Sequence, residues 1–295
     1  MRLVSVHHCT PGMKLGKPIL NNDGKTLLGR GYELTEPIIK RLSQIGILQV
    51  YIDDPGTDGI QIEEAIQDST RIKVFTSLKK CLQYIRADDR TSNEWRFITF
   101  SKLMGESVSA IVDDVTKERN RYIIHISHTL PVYDNIEDHV FYNAINVAVY
   151  ATKLALLQGA AAHELRTVCA AALFHDIGKL LIPKELLTKR SALSKEEMKV
   201  IRRHTELGYK ILKDDGTVSL VAALCALQHH ERVDGTGYPL GLKGKDIHPY
   251  ARLIGLIDAY DALISPRSYR RSLLPHEAMD FLYAHAGTMF DARLV

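Results

Sequence analysis

His229-His230-Glu231-Arg232-Val233-Asp234-Gly235-Thr236-Gly237-Tyr238-Pro239 is the stretch from which the rest of this chain can be read. Two adjacent histidines close an apolar run, Val218 to Leu227, with the spacing of a helix. Neighbouring residues on a helix point about 100° apart. The pair therefore suits two different metals, or two sides of one metal, better than one shared face. Gly235, Gly237 and Pro239 then mark a loop in which no helix continues. Upstream lies Phe174-His175-Asp176-Ile177-Gly178-Lys179. His beside Asp near a helix end offers one nitrogen ligand and one carboxylate able to bridge two cations.

Around these stretches the apolar residues keep a helical period. His139, Asn143, Val147, Ala151 and Leu154 share one face, and Leu165, Val168, Ala172 and Asp176 continue the pattern on the next helix. Pro183 ends that unit. Ser194-Lys195-Glu196-Glu197 is a capping box. It predicts one helix with Met198, Ile201, Thr205, Gly208 and Ile211 facing inward and His204 beside that stripe. Pro249 starts an apolar helix through Leu263, on which Asp258 and Asp261, three residues apart, share a face. His175, Asp176, His204, His229, His230 and Asp258 thus come from four helices that their apolar faces would gather. Mixed imidazole and carboxylate ligands suit iron, manganese or zinc and disfavour calcium or magnesium. Asp176 is the natural bridge between two ions ~3.5–4 Å apart, and a bridging water would be a hydroxide near neutral pH, placed to attack phosphorus. On spacing alone the chemistry is that of a metal-dependent phosphohydrolase.

Composition sets outer bounds. At 295 residues about two domains are expected. An apolar share of 45% is ordinary for a protein with a proper core. No unbroken apolar run reaches the ~18 residues of a membrane span, and the N-terminus lacks the pattern of a secretory signal. The four cysteines, Cys9, Cys81, Cys169 and Cys225, are scattered without a CxxC, which fits a reducing cytoplasm. A net charge of +3 is too small to argue for nucleic acid.

Residues 1–60 read as a small α/β module. A strand-like stretch runs from Pro11 to Leu20, Asn22-Asp23-Gly24 is a hairpin turn, and Thr26 to Leu28 return. Thr35 caps a helix with Pro37 in its first turn and Ile38, Ile39, Leu42 and Ile45 on its apolar face. Ile47 to Ile52 form a strand, and His7 and His8 are read as edge-strand residues. Asp53 to Gly59 is a linker. Residues 61–130 carry two amphipathic helices, one with Ile66, Phe75, Leu78 and Leu82, the other with Phe97, Phe100, Met104, Val108, Ile111 and Val115. Such helices pack on the next domain or on a second copy of the chain.

The intact HHExxDGxGYP stretch, His229 to Pro239, and the His175-Asp176 motif together resemble the HD-GYP branch of the HD hydrolase superfamily. The resemblance implies a mainly α fold, an HD-type helical bundle over residues 131–295, and a preceding small module of a kind often found before HD-GYP domains. It implies a metal-dependent phosphodiesterase of bacterial second-messenger signalling that opens cyclic di-GMP to linear pGpG or on to GMP. His175, Asp176 and Asp258 would hold one metal, and Asp176, His204, His229 and His230 the other. The metals expected are iron or manganese, with zinc or nickel acquired on purification. Asp176 and Lys179 would serve catalysis. Lys179, Asp261, Arg267, Arg270 and Tyr238 would meet the substrate, the arginines through bidentate phosphate contacts. GGDEF-type cyclases are the partners expected at the GYP loop. His163, His248, His276 and His285 match no ligand position and are read as surface residues. The resemblance also implies a further helix and a short tail beyond Val295.

One position departs from the family. Its first histidine lies in a motif like His-Ser-x-Asn-Val, and here that motif reads Asn143-Ala144-Ile145-Asn146-Val147. An amide is a poor ligand beside imidazole. Either His139, one turn earlier on the same face, supplies the missing nitrogen, or the first metal is weakly held. Two other readings stand beside the enzyme: a degenerate relative that binds cyclic di-GMP or a protein partner without turnover, and an HD hydrolase acting on another nucleotide.

Overall fold

The computed structural model describes residues 1–21, 26–45, 47, 49–54, 56, 65–86, 93–117, 136–189, 191–215, 218–265 and 273–295. The chain divides into two units, Met1–Ile72 with Arg121–Asn135, and Lys73–Asn120 with Ile136–Val295.

In the first unit β1 (Arg2–Ser5) pairs antiparallel with β4 (Gln49–Ile52), Leu3 opposite Tyr51. β2 (Ile19–Leu20) pairs with β3 (Thr26–Leu28). The expected turn at 22–24 lies outside the described residues, as does most of the 53–59 linker. α1 (Glu36–Gln44) lays Leu42 into a core of Val4, Val6, Leu15, Leu34, Ile47 and Val50, with Ile38, Ile39 and Ile45 partly buried beside it. Pro37 occupies the first turn as expected, but Thr35 makes no side-chain cap hydrogen bond. His7 and His8 are not strand residues: the chain tightens into a 3₁₀ turn at Val6–His8, directly after β1.

The second unit is helical. α2 (Asp68–Arg86), which begins at the boundary, buries Val74, Phe75, Leu78 and Leu82, and α3 (Asn93–Lys117) buries Met104, Val108, Ile111 and Val115. α3 packs on α4 (Ile136–Leu157) and α5 (Ala162–Phe174), so its apolar stripe is spent within the unit. α4 is apolar on every side, as a central helix must be. Val147, Ala148, Val149 and Ala151 are fully enclosed. By mean hydropathy its span Glu137–Leu157 is long and apolar enough to cross a membrane, but 83% of the apolar window is buried inside the protein.

After α5 come a 3₁₀ turn (Ile177–Leu181) and the short α6 (Lys184–Leu187). The predicted single helix after Ser194 is two, α7 (Lys195–Arg202) and α8 (His204–Asp215), broken at Arg203. The capping box is present: Glu197 N donates to Ser194 Oγ at 3.1 Å, and Ser194 N to Glu197 Oε2 at 2.8 Å. The break turns α7 out of the stripe, so Met198 is 37% exposed while Thr205 and Gly208 on α8 are buried. α9 (Leu220–Gln228) packs on α8 and α5, and α10 (Pro249–Ile264) on α4 and α9. α11 (Pro275–Ala284) lies against α10.

Candidate metal centre

Each histidine of the centre sits at a helix end. His175 caps the C-terminus of α5, His229 caps α9, and His204 opens α8. Two close approaches draw these ends together. A β-carbon on Gly178 would collide with the His204 carbonyl, and one on Gly255 with the His229 carbonyl. Only glycine lets the 3₁₀ turn meet α8, and α10 meet α9, at those distances.

The imidazoles are oriented alike. Nδ1 of His175 lies 2.7 Å from the Ala172 carbonyl, Nδ1 of His204 is 2.8 Å from Ile201 O, and Nδ1 of His229 is 3.0 Å from Ala226 O. A carbonyl only accepts, so each Nδ1 carries the proton and each Nε2 faces the centre, as backbone-anchored metal ligands do. These Nε2 atoms surround Asp176. Oδ1 is 3.3 Å from His204 Nε2 and 3.5 Å from His229 Nε2, and Oδ2 is 3.3 Å from His175 Nε2. His204 and His229 Nε2 are 3.4 Å apart. Potential ligand atoms form two groups sharing Asp176: Asp176, His204, His229 and His230, and His175, Asp176 and Asp258. His229 and His230 thus belong to the same group, on two sides of one position.

The electrostatics suit a cation. Burial lowers the pKa of His204 to about 3 and also lowers those of His229 and His230, so all three are neutral ligands. His175 differs: burial opposes its charge, but Asp176 and Asp258 outweigh burial and push it up to about 10. The Lys179 ammonium and His175 likewise overcome burial at Asp176 and hold its carboxyl well below the usual range. Lys179 Nζ donates directly to Asp176 Oδ2. Asp176 Oδ1 is buried and makes no hydrogen bond, and the neighbouring Nε2 atoms of His204 and His229, unprotonated, have none to give it. A buried polar atom without a partner is costly, and a cation there would satisfy it. The residues present therefore fit transition-metal ions.

Of the expected substrate contacts, Tyr238 is beside the centre. Its ring stacks on His230 with centroids 4.7 Å apart, and the Arg202 guanidinium lies 4.7 Å from the ring centre. Asp261, expected at the substrate, is 1% exposed, with Asn143 Nδ2 donating to Oδ2 at 2.8 Å and Asn146 Nδ2 to Oδ1 at 3.0 Å. Both oxygens face α4 amides inside the fold. Its pKa is pushed up to about 6, burial outweighing the two amides. His139 is in neither ligand group. From α4 Asn143 reaches both α10 carboxylates and Asn146 reaches Asp261, and four residues of helix displace His139 from Asn143 by roughly 6 Å along the axis. Arg267 and Arg270 lie outside the described residues. Among the remaining histidines, His163 and His276 are exposed. His248 is not a plain surface residue: its Nδ1 accepts from Tyr250 N and caps α10.

Several residues of the site had no role in the sequence reading. Glu231 is buried and its carboxylate accepts from Leu240 N at 2.7 Å and Leu242 N at 2.9 Å, folding the loop back on itself. Asp234 N donates to Thr288 O at 2.9 Å, tying the loop to the C-terminal segment. Asn146 stood within the Asn143–Val147 motif and Arg202 two residues before His204, and that adjacency was their only signal.

The chain matches the HD domain family over residues 117–294. It is 42% identical over 138 residues to the cyclic di-GMP phosphodiesterase response regulator RpfG of Xanthomonas campestris, covering 46% of this chain and 36% of that protein. It is 36% identical over 150 residues to 3'3'-cGAMP-specific phosphodiesterase 2 of Vibrio cholerae, covering 50% of this chain and 29% of that one. The chain thus spans about a third of the length of these relatives. Among solved structures it shares its fold with an HDG"Y"P protein from Bdellovibrio bacteriovorus, at a TM-score of 0.56 and 18% identity over 99% of this chain and 96% of that one.

Proposed function

The chain belongs to the HD domain family, and on that premise we propose that it is a metal-dependent phosphodiesterase that hydrolyses cyclic di-GMP to linear pGpG and/or GMP. The observation carrying this reading is the convergence of three identically anchored Nε2 atoms on one shared carboxylate, Asp176. His204, His229, His230 and Asp176 would hold one ion, and His175, Asp176 and Asp258 a second. Their mixed donors favour iron or manganese. Such ions, when bound, supply Lewis acidity toward a phosphate oxygen and acidify water.

The chain's own groups do the rest. Backbone carbonyls at the ends of α5, α7 and α9 hold the imidazoles of His175, His204 and His229, whose burial excludes bulk water from them. Lys179, a quarter exposed, sits on Asp176 and can swing its ammonium to a phosphate oxygen once that carboxylate is otherwise engaged. Tyr238 and Arg202 form the rim where a base or phosphate would lie. Arg267 and Arg270 are assigned to substrate phosphates on their motif alone. A cytoplasmic location, GGDEF-type partners at the Glu231-braced loop, and a homodimer belong to the same reading.

Relatives named for cyclic di-GMP and for 3'3'-cGAMP make the choice of dinucleotide the point to test. Metal-loaded protein should convert cyclic di-GMP to pGpG or GMP on chromatography, faster than 3'3'-cGAMP, and a chelator should stop it. Faster turnover of 3'3'-cGAMP would reassign the substrate. Binding of cyclic di-GMP without turnover would favour the binding-module alternative, for which Asn143 is the supporting feature.

A further inference from the structure

Asn143 stands between the two carboxylates of α10. Its Nδ2 donates to Asp258 Oδ1 at 3.3 Å and to Asp261 Oδ2 at 2.8 Å, and Asn146 Nδ2 secures Asp261 Oδ1 at 3.0 Å. Both acceptors of Asn143 are carboxylate oxygens, and this decides the amide's orientation. Flipped, its carbonyl oxygen would face two carboxylates with no donor between them. An amide NH₂ has donors and no lone pair to give a cation. Asn143 therefore cannot ligate from this orientation.

The oxygen of Asp258 that Asn143 holds is also the one facing the centre, 3.6 Å from His175 Nε2. Asp261, three residues on and gripped at both oxygens, anchors the other end of the amide. We propose that Asn143 is a positioning residue that sets the Asp258 carboxylate toward His175, and that the two cation positions are unequal, the His175–Asp176–Asp258 position being the weaker. This rests on the reading that the centre holds metal ions. The stronger position has three imidazoles and a carboxylate. The weaker has one imidazole and two carboxylates, one of them shared, and one donor fewer. First-row metals of the middle and late series favour the nitrogen-rich set. The weaker position accordingly depends on how well Asp258 is already oriented.

The test is calorimetric titration of the metal-free full chain with Zn²⁺, an ion that imidazole suits, and it needs no turnover. Wild type should show two events, the second weaker. Asn143→Ala should weaken the second event by about tenfold to a hundredfold, the usual cost of losing a group that orients a ligand, while leaving the first unchanged. The retained first event reports an intact fold in the same sample. Asn143→Ser, too short to reach both carboxylates, should behave the same way and serves if the alanine variant does not fold. Asn146→Ala removes the hydrogen bond to Asp261 Oδ1 but leaves both Asn143 hydrogen bonds in place, so it should lower Tm and move the second event less than Asn143→Ala does. Two events of equal affinity in wild type, a second event unmoved by Asn143→Ala and Asn143→Ser, or an equal shift of both events would overturn the proposal while leaving the phosphodiesterase reading in place. No Zn²⁺ binding by wild type would overturn both.

Discussion

Gly178 lies directly beneath the backbone of His204: a β-carbon on Gly178 would collide with the His204 carbonyl oxygen and stand 2.6 Å from the Gly208 amide nitrogen. That approach sets the distance between the His175–Asp176 turn and the start of α8. Gly178→Ala should therefore push the two apart. Overpacking costs about 1–3 kcal/mol in an adaptable core, and backbone atoms cannot yield as side chains do, so the upper end is expected. Thermal melting should show a lowered Tm, and elemental analysis a loss of metal larger than the loss of folded protein.

Asp176 is common to both ligand groups, whereas His229 belongs to one. Asp176→Ala should empty both positions. His229→Ala should empty the four-ligand position and leave a weak ion at the other. Metal content measured on the two variants side by side checks this. Equal metal loss in both would mean that the two groups act as one.

His175 is protonated in the metal-free centre, with its pKa pushed up to about 10 from an ordinary 6.5. His204, His229 and His230 are already neutral at pH 8 because their values are lowered. A metal ion needs the neutral imidazole, so loading should release one proton, that of His175, and apparent affinity should rise with pH until about 10. Calorimetry at pH 8 in buffers of different ionisation enthalpy counts that proton. The raised value stabilises metal-free protein fully below pH 6.5, and this stabilisation is lost as pH rises through about 10. The melting temperature of chelated protein should accordingly fall over that window more than that of loaded protein.

Lys179 Nζ rests on Asp176 Oδ2, the oxygen nearest His175. Lys179→Met keeps the stem but removes the charge. Metal content should be kept or raised, because a competing cation has gone. Loss of a charge-assisted phosphate contact should cost about 1.5–3 kcal/mol, roughly tenfold to a hundredfold in kcat/KM. Unchanged kcat/KM would confine Lys179 to neutralising Asp176.

Much of the centre was legible in the sequence because its chemistry is local. His175-Asp176 and His229-His230 fall where apolar periodicity stops, and helix ends are where side chains leave the core face. The Ser194–Glu197 box and Pro249 marked helix starts for reasons contained within four residues. What could not be read was distance between helices. That Asp261 is held by Asn143 and Asn146, and that His139 is in neither ligand group, both depend on how α4 and α10 approach one another. The break at Arg203 belongs with these, since the packing of α8 against α9 and Gly178 competes with continuing α7. A period of 3.6 residues tells which residues share a face. Which face meets which, and how closely, is decided by side-chain volume at the crossings, above all by the missing β-carbons of Gly178 and Gly255.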